Sequence, residues 1–464
     1  MNIINTIRFY LALWASKSVY VLMRLLKRSA THFPGDVALK IDPAFLKHIK
    51  SPKKTIMVTG TNGKTSVTNM ILDVLGQDNV PIIHNALGSN ILQGIATSLL
   101  AKTSIFNTSR HDLAVLEVDE RSSRLIMPFI KPDYLIINNL YRDSYRRNAH
   151  VEFIIQILQK YTPKTTHLIV NADDMFATQV IQDRTFTTFS LQPISDEVTR
   201  SDSKIHDGKL CPHCFSPMTF SYVRYHHLSH FLCPSCGFTN PTSHVVASLT
   251  SVQSQQLHIN TQNQTFVIFR ETPSINDAYN TAATFGLFVA MKDDLNKRVE
   301  QLGSIKTVSS RFSEMVVKNK RIIRLLAKDQ NPVANSRLSD FLTTQPQWGR
   351  LGLCFMSEVH AHEDHPKEVE NMAYIYDTDY EYLKECNITQ VMLGGHRRLE
   401  YKARLLFAGL DRDVLVLVEK EDDEIQAIDL DKVDTIILMY STKNIDEAMH
   451  LREQLVARIQ KECI

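Results

Sequence analysis

The feature that most constrains this sequence is a short apolar run that leads into a glycine-containing loop. The run at 55–58 is rich in β-branched residues and is followed by Thr59-Gly60-Thr61-Asn62-Gly63-Lys64-Thr65. A strand, a turn and a helix in this order surround a phosphate with backbone N–H groups and the positive end of the helix. Lys64 is placed to reach the β- and γ-phosphate oxygens, and the Thr65 hydroxyl to hold Mg²⁺. The sequence therefore predicts a P-loop for ATP, shortened because Thr59 stands where the general pattern has glycine.

Further apolar runs are separated by segments long enough to hold a helix, which predicts parallel α/β sheets. In the first half of the chain they lie at 113–118, 134–138 and 167–171. In the second half they lie at 322–326, 351–355, 389–393, 413–417 and 435–439. We therefore expect an N-terminal helical segment at 1–52, a central P-loop ATPase domain at 53–305 and a C-terminal, Rossmann-like α/β domain at 306–464.

Two Cys-x-x-Cys pairs interrupt the α/β alternation inside a polar stretch from about 200 to 245, which we interpret as an insertion. Cys211 and Cys214 form the first pair, and Cys233 and Cys236 follow after eighteen intervening residues. This is the spacing of a zinc ribbon, in which four thiolates complete a tetrahedral shell and leave no catalytic position open. Structural Zn²⁺ is the prediction, with unligated or redox-active cysteines as the alternative. Cysteines in this pattern are typical of a reducing cytosol.

Charge and hydropathy limit the function classes. The formal net charge of +2 argues against nucleic-acid binding, which needs clustered basic residues. The apolar N-terminal segment contains Arg8, Lys17 and Arg24, too many charges for a membrane-spanning helix. It is interpreted either as a helix packed on its own domain or as a basic amphipathic helix that faces anionic lipid with Lys17, Arg24, Lys27 and Arg28. The expected location is the cytoplasm, at the inner face of the membrane under the second interpretation.

The loop at 60–65 resembles the ATP loop of the Mur ligases and folylpolyglutamate synthetases, which join amines to carboxylates through acyl phosphates. This resemblance implies that Glu117, at the end of a predicted strand, binds Mg²⁺ together with Thr65; a helix-capping acid is the alternative. It also implies that Asn280 faces the adenine and that Arg311 contributes to the ATP site. Three positions depart from the family's pattern: Ser144, Asp277 and Ser310.

A zinc ribbon inserted into a Mur-type ATPase is similar to the MurT branch of this family, and the string at 373–381 resembles its C-terminal motif. Members of that branch pair with a GatD-type glutaminase subunit. The resemblance implies that an aspartate of the C-terminal domain completes the catalytic residues of the partner. Asp377 is assigned this role, with Asp379 as the rival and a surface acid without a role as the other alternative. The segment 358–371 departs most from the family.

The resemblance implies a reaction as well as a fold. ATP would activate the α-carboxylate of D-glutamate in the lipid II stem peptide, and ammonia would convert it to D-isoglutamine during peptidoglycan biosynthesis. No Gly-x-Cys-x-Gly nucleophile turn occurs in this chain, so the ammonia must come from the glutaminase. The alternatives are an amino-acid ligase of the Mur or folylpolyglutamate type and a catalytically silent nucleotide-binding scaffold. The expected cofactors are ATP, Mg²⁺ and structural Zn²⁺.

Overall fold

The computed structural model of the chain groups its residues into two compact units. The first unit consists of Met1–Tyr141, His150–Arg200 and Asp207–Thr307, and the second of Arg142–Ala149, Ser201–His206 and Val308–Ile464. The residues that the structure describes are 3–86, 89–142, 150–194, 197–199, 203–224, 227–250, 255–270, 274–305, 312–326, 331–356, 372–395, 397–419, 422–440 and 444–462. The domain boundaries predicted from the sequence, 53–305 and 306–464, are not tested by this division into two units and stay predictions.

The first unit is built on a mainly parallel sheet. The strands of this sheet are β1 (Lys54–Thr59), β2 (Ile82–His84), β3 (Leu113–Glu117), β4 (Tyr134–Ile137), β5 (His167–Asn171), β6 (Phe186–Leu191), β9 (Val245–Leu249), β10 (Gln256–Thr261) and β11 (Thr265–Phe269). A separate hairpin consists of β7 (Thr219–Arg224) and β8 (Leu228–Leu232). The order across the sheet is β11-β10-β9-β6-β5-β4-β1-β3-β2. Across this sheet, all neighbouring strands from the β2 edge to β9 are parallel, whereas β10 is antiparallel to both of its neighbours, β9 and β11. The strands predicted in the first half of the chain are confirmed.

Helices cover both faces of this sheet. They are α1 (Ile3–Leu25), α2 (Phe33–Ile41), α3 (Phe45–His48), α4 (Lys64–Gly76), α5 (Leu92–Lys102), α6 (Ser123–Ile126), α7 (Val151–Tyr161), α8 (Met175–Thr178), α9 (Ile275–Met291) and α10 (Leu295–Ser304). Successive residues of β1 point to opposite faces, so Met57 packs in the core with α1, α5 and α7, while Ile56 and Val58 pack with α4, α9 and α10. Burial on both faces explains why β1 is a continuous apolar run.

The strand order places the P-loop at a topological switch point. β1 pairs with β3 on one side and with β4 on the other, because the chain builds β2 and β3 first and then crosses to add β4. In open parallel sheets, ligands bind at the carboxyl ends of the strands where the order reverses. The loop that follows Thr59 lies at this position.

The second unit contains a second α/β sheet. Its elements are β12 (Phe312–Val317), β13 (Lys320–Leu326), α11 (Pro332–Thr343), β14 (Leu351–Phe355), α12 (Ala373–Asp377), β15 (Ile388–Leu393), α13 (Arg398–Phe407), β16 (Leu415–Leu417), α14 (Asp422–Ala427), β17 (Thr435–Tyr440) and α15 (Ile445–Glu462). The order is β12-β13-β17-β14-β15-β16, and β12 pairs antiparallel with β13 while the other pairs are parallel. The predicted strands are confirmed except at 413–414, where Arg412–Val414 forms a 3₁₀ turn before β16.

Two segments required the structure for their description. The predicted insertion contains the hairpin of β7 and β8, which lies outside the large sheet, and β9 follows it as a strand that the sequence pattern did not predict. The N-terminal segment is helical, as predicted, and no helix among the described residues is long and apolar enough to cross a membrane.

Candidate active site

The loop between β1 and α4 requires glycine at two positions. Gly60 has φ +134° and Gly63 has φ +82°, values that residues with a Cβ rarely adopt. A Cβ on Gly63 would lie 2.2 Å from Asn138 Nδ2 and 2.4 Å from Asn280 Oδ1. Both the backbone angle and the close approach of two asparagine side chains therefore require glycine at position 63.

The segment that follows β4 holds one side of this loop. The Thr61 N–H donates to the Asn139 carbonyl at 2.8 Å, and the Asn62 N–H donates to Asn139 Oδ1 at 2.9 Å. The Thr61 hydroxyl donates to the Tyr141 carbonyl at 3.0 Å. These bonds fix the conformation of Thr61 and Asn62 from within the protein, so this part of the loop is preorganised by its neighbours.

Asn280 and Asp277 lie on consecutive turns of α9 and have different partners. Asn280 Oδ1 accepts a hydrogen bond from Asn138 Nδ2 at 2.9 Å, which places Asn280 beside the P-loop. Asp277 receives two hydrogen bonds from Arg270, one from Nε at 2.9 Å and one from Nη2 at 2.8 Å. Both members of this ion pair are buried. Asp277, one of the three departures from the family's pattern, therefore pairs with Arg270 of the same unit.

Lys64 is the buried cation of the site. Its Nζ donates to Glu120 Oε1 at 2.8 Å and also to the Gly60 carbonyl. The Lys64 and Glu120 side chains are 10% and 3% exposed, so the two charges depend on each other in a region of low dielectric. Sequence reasoning assigned Lys64 but no role to Glu120, although its place in the acidic string after β3 was a signal. The ammonium lies at the helix N-terminus, where a phosphate would approach.

Thr65 and Glu117 form a pair of hard oxygen ligands next to Lys64. The Thr65 hydroxyl donates to Glu117 Oε2 at 2.8 Å, and Asn90 Nδ2 donates to Glu117 Oε1 at 3.0 Å. Asn85 holds the backbone of Glu117 with two hydrogen bonds of 2.8 Å. A hydroxyl and a carboxylate at this distance match the ligand preference of Mg²⁺, which takes few protein ligands in addition to phosphate oxygens. No sequence motif pointed to Asn85 or Asn90.

The four cysteines of the two pairs converge on one point. Their sulfur atoms all lie within 4.8 Å of one another, and the Cys211–Cys236 and Cys214–Cys233 Sγ distances are both 3.5 Å. A tetrahedral zinc with Zn–S bonds of about 2.3 Å separates its sulfur ligands by roughly 3.8 Å. The donor set and its spacing therefore fit a structural zinc ion.

The ionisation of the thiols also fits a cation. Hydrogen bonds from Ser216 lower the pKa of Cys214 to about 6. The N–H of Phe238 favours the Cys236 thiolate, yet burial and the other three cysteines raise the Cys236 pKa to about 12. A metal ion held between the four sulfurs would favour their thiolate forms.

Each cysteine pair lies in the same type of turn. The Phe215 N–H donates to the Cys211 carbonyl at 3.0 Å, and the Gly237 N–H donates to the Cys233 carbonyl at 2.9 Å. Phe215 and Gly237 follow the second cysteine of their pairs and have φ +60° and φ +75°. Glycine relieves the backbone strain only in the second turn, at Gly237.

The two cysteine pairs and the β7–β8 hairpin between them are called the ribbon from here on. Buried contacts hold this segment against the large sheet. Cys211 and Cys233 belong to the same hydrophobic core as Met175 and Phe176 of α8. Arg224, at the end of β7, donates from Nη1 to the Tyr279 hydroxyl at 2.8 Å and from Nη2 to the Gln192 carbonyl at 2.6 Å. The ribbon is thus an integral part of the first unit, which its position as an insertion did not reveal.

A contacting pair of tilted rings links the ribbon to the P-loop. The rings of His227 and Tyr141 have centroids 4.3 Å apart, and Asn62 Nδ2 donates to the Tyr141 hydroxyl. His227 immediately precedes β8, and Asn62 lies in the nucleotide loop. We therefore expect a displacement of His227 to act on Asn62 of the phosphate-binding loop through Tyr141.

Comparison with known proteins agrees with this geometry. Residues 58–216 match the Mur ligase middle domain, and residues 329–442 match the MurT ligase C-terminal domain. Both units of the chain are therefore similar to the MurT branch of the Mur ligase family. It is 24% identical over 419 residues to the MurT subunit of the glutamine-hydrolysing lipid II isoglutaminyl synthase of Staphylococcus aureus, covering 89% of this chain and 91% of that protein. The MurT subunit of Streptococcus pneumoniae is 24% identical over 405 residues, with 86% and 87% covered.

Solved structures share the fold of this chain. A pseudomurein peptide ligase type C from Methanothermus fervidus superposes with a TM-score of 0.67 at 17% identity, covering 89% of this chain and 81% of that one. MurF from Thermotoga maritima, in complex with ADP, gives a TM-score of 0.54 at 13% identity, with 92% and 84% covered. The Mur ligase fold with its α/β sheets is thus confirmed.

In the second unit, the two candidate aspartates have different surroundings. Asp379 is 5% exposed, and its carboxylate accepts hydrogen bonds from the Ser203 hydroxyl and from the Lys204 N–H, the latter at 2.9 Å. Its own N–H donates to Ser336 Oγ at 2.8 Å. Asp377, the last residue of α12, is only half-buried. Asp379 is therefore occupied with holding residues 203–204, whereas Asp377 is accessible at the surface of its unit.

Several positions that the sequence singled out lie outside the described residues. They are Arg311 of the predicted ATP site, Ser144 and Ser310 among the departures from the family pattern, and the divergent segment 358–371. Their assignments stay predictions.

Proposed function

We propose that this chain is the ATP-dependent ligase subunit of a glutamine-hydrolysing lipid II isoglutaminyl synthase. The observation that carries the proposal is the group of Lys64, Thr65 and Glu117 at the switch point of a Mur-type sheet. The similarity to MurT subunits along both units, together with the four converging cysteines, selects this branch of the family over the amino-acid ligases. The product would be D-isoglutamine in the stem peptide of lipid II.

The first half-reaction is phosphoryl transfer to the D-glutamate α-carboxylate. A carboxylate oxygen attacks the γ-phosphorus, the bond to the β-γ bridging oxygen breaks, and ADP leaves. Lys64 Nζ exchanges its bond to Glu120 for the phosphate oxygens and neutralises their charge. A Mg²⁺ ion held by Thr65 and Glu117 would supply further charge neutralisation on the same oxygens.

The second half-reaction forms the amide. Ammonia attacks the acyl carbon, the bond between that carbon and the phosphate oxygen breaks, and the departing phosphate takes up the proton that the nitrogen loses. The asparagines around Glu117 and Gly63 keep these groups fixed throughout, because their hydrogen bonds are made within the protein. Preorganised polar groups of this kind need no reorientation when charge develops.

The ammonia would come from a GatD-like glutaminase subunit. Asp377 is the residue that we assign to the orientation of the partner's catalytic histidine, since such an aspartate fixes the tautomer of the imidazole in Cys/His and Ser/His catalysis. The half-buried position of Asp377 and the internal hydrogen bonds of Asp379 support this choice.

The Asp377→Asn variant is expected to lose glutamine-dependent amidation by roughly 10²-fold or more, because the partner's histidine loses its orienting carboxylate. Amidation driven by ammonium chloride should stay within about twofold of the unmodified complex, since it bypasses the glutaminase. Both rates are measured on the full complex by mass spectrometry of lipid II.

Asp379→Asn is the matched control for this experiment. It replaces one of the two carboxylate oxygens that accept from Ser203 and Lys204 by an NH₂ donor and removes the negative charge, so it should lower the melting temperature and affect both nitrogen sources equally. Selective loss of glutamine-dependent activity in Asp379→Asn, with normal activity in Asp377→Asn, would exchange the two roles.

The overall proposal is tested by incubating the chain with lipid II, ATP, Mg²⁺ and ammonium. Exchange of OH for NH₂ on the stem peptide, detected by mass spectrometry and dependent on Lys64, is the expected result. Addition of an amino acid with consumption of ATP would identify an amino-acid ligase instead. Absence of both products and of ATP turnover in the complete complex would leave a nucleotide-binding scaffold.

A further inference from the structure

Helix α1 buries one face and exposes the other, and both faces are apolar. Phe9, Ala12, Leu13 and Ser16 are buried, where α1 packs against α2 and α5. The opposite face carries eight large apolar side chains that are 49% to 76% exposed. They are Ile3, Ile4, Ile7, Leu11, Trp14, Val21, Leu22 and Leu25. Steps of three and four residues place them on one stripe of the helix.

The apolar surface continues beyond the helix. Trp14 Nε1 donates to the Ile105 carbonyl at 3.0 Å, which brings the 105–106 turn alongside the helix. Ile105 and Phe106 are 52% and 72% exposed. Monomeric soluble proteins rarely expose a contiguous apolar patch of this extent, and such patches mark protein or membrane contact sites.

The charged side chains that the N-terminal segment contributes to this patch are all basic. Residues 1–35 contain no Asp or Glu, and their five Lys and Arg residues are Arg8, Lys17, Arg24, Lys27 and Arg28. Arg8 and Lys17 donate to the carbonyls of Ile41 and Leu100. Arg24, Lys27 and Arg28 are exposed at the carboxyl end of the helix. The patch therefore combines apolar area with a border to which residues 1–35 contribute only basic side chains.

We propose that the exposed face of α1, together with Ile105 and Phe106, lies on the surface of an anionic lipid bilayer. A helix with an apolar face, basic border and aromatic ring rests parallel to the membrane with its apolar side chains at the level of the acyl boundary. A second copy of this chain offers the same patch without acidic residues and supplies no counter-charge, whereas anionic headgroups do. The basic border thus favours lipid as the occupant.

The position of α1 relates the membrane contact to the ligase site. Helix α1 packs against α5, and Asn90, two residues before α5, binds the carboxylate of Glu117. Lipid contact is inferred from the helix alone; its use for reaching a membrane-anchored substrate rests on the proposed function. The helix holds no residue of the catalytic group, so membrane binding and catalysis are separable by substitution.

Vesicle flotation of the full-length chain tests the proposal. Binding to vesicles of phosphatidylglycerol and phosphatidylcholine is expected, with several-fold weaker binding to phosphatidylcholine alone and a decrease at high salt. Ile7→Gln/Leu11→Gln/Leu22→Gln should reduce partitioning roughly tenfold or more, because three apolar anchors are lost. Val316→Gln/Leu399→Gln/Phe407→Gln, which alters residues 61% to 75% exposed in the second unit, should bind vesicles normally.

Tryptophan fluorescence gives a second readout. The chain has two tryptophans, and Trp348 is only 5% exposed, so the Trp348→Phe background reports Trp14. Anionic vesicles should shift its emission to shorter wavelengths. Equal flotation of the unmodified and the α1 variant, or no flotation at all, would overturn the proposal. A dimer that the α1 substitutions dissociate, without vesicle binding, would assign the face to a second copy. Retained ammonium-dependent amidation in the α1 variant separates these outcomes from failure of the ligase proposal.

Discussion

Replacement of Lys64 by alanine is expected to reduce ammonium-dependent amidation of lipid II by roughly 10²- to 10³-fold or more. The ammonium is the buried cation of the P-loop, and its removal leaves the transferring phosphoryl group without its nearest positive charge. Turnover of ATP should fall with amidation, because both depend on the same phosphoryl transfer. Amide formation is measured by mass spectrometry and ADP release by a coupled assay.

The control for this variant must separate catalysis from folding. Lys64→Ala leaves the Glu120 carboxylate, 3% exposed, without its partner, and an unpaired buried charge is strongly destabilising. The Lys64→Met/Glu120→Gln double variant removes both charges and should recover the melting temperature while staying inactive. Lys53→Ala, at an ion pair with Asp112 that is largely exposed, should leave stability and activity unchanged. Activity of the double variant within a few-fold of the unmodified chain would remove Lys64 from the mechanism.

Loss of the zinc ligands is expected to have the second large effect, on stability. Cys211→Ser/Cys233→Ser should lower the melting temperature by roughly 10 °C or more and abolish stoichiometric zinc binding. Structural zinc contributes apparent binding free energies of about 10–16 kcal/mol, comparable to the ~5–15 kcal/mol stability of a whole domain. Because both thiols lie in the core with Met175 and Phe176, their site cannot loosen without disturbing the first unit.

The ribbon variant should also weaken nucleotide binding. The contacting rings of His227 and Tyr141 connect the ribbon to Asn62, so displacement of the ribbon is expected to change the shape of the P-loop. Metal content is measured by elemental analysis, unfolding by calorimetry and nucleotide affinity by titration with ADP. Cys386→Ser, a half-buried cysteine of the second unit, is the matched control and should retain zinc. An unchanged melting temperature after removal of zinc would contradict a structural role for the metal.

The parts of the site that the sequence predicted are those with local signatures. The P-loop follows from one short string, since a strand, two glycines and a lysine must be contiguous to surround a phosphate. Most strands of the two sheets were recognisable because burial on two faces requires unbroken apolar runs. The cysteine pairs were recognisable because two thiolates reach one ion only from a tight turn.

The partners of these groups were not predictable, because they are distant in sequence and carry no motif. Glu120 pairs with Lys64 across 56 residues, and Asn138 meets Asn280 across 142 residues. No sequence motif marked Arg224, which the fold buries and places in hydrogen-bond contact with the Tyr279 hydroxyl. Such contacts arise from the order of strands in the sheet, which apolar periodicity does not specify.

The choice between Asp377 and Asp379 shows the same division. Two aspartates two residues apart are equivalent in sequence, but a half-turn of backbone directs one toward Ser203 and Lys204 and leaves the other accessible. The N-terminal helix is a further case, since its apolar composition allowed two interpretations. Only its packing on α2 and α5 determined which residues are covered and which face outward.

The sequence by itself determined the fold class, the nucleotide loop and the set of cysteines, because each depends on residues that are neighbours along the chain. The tertiary structure alone decided which carboxylate neutralises Lys64, which asparagines hold Glu117, how the ribbon is anchored and which face of α1 remains exposed. The physical reason is that burial and pairing of charges depend on distances in space, and those distances are set when the strands take their order in the sheet.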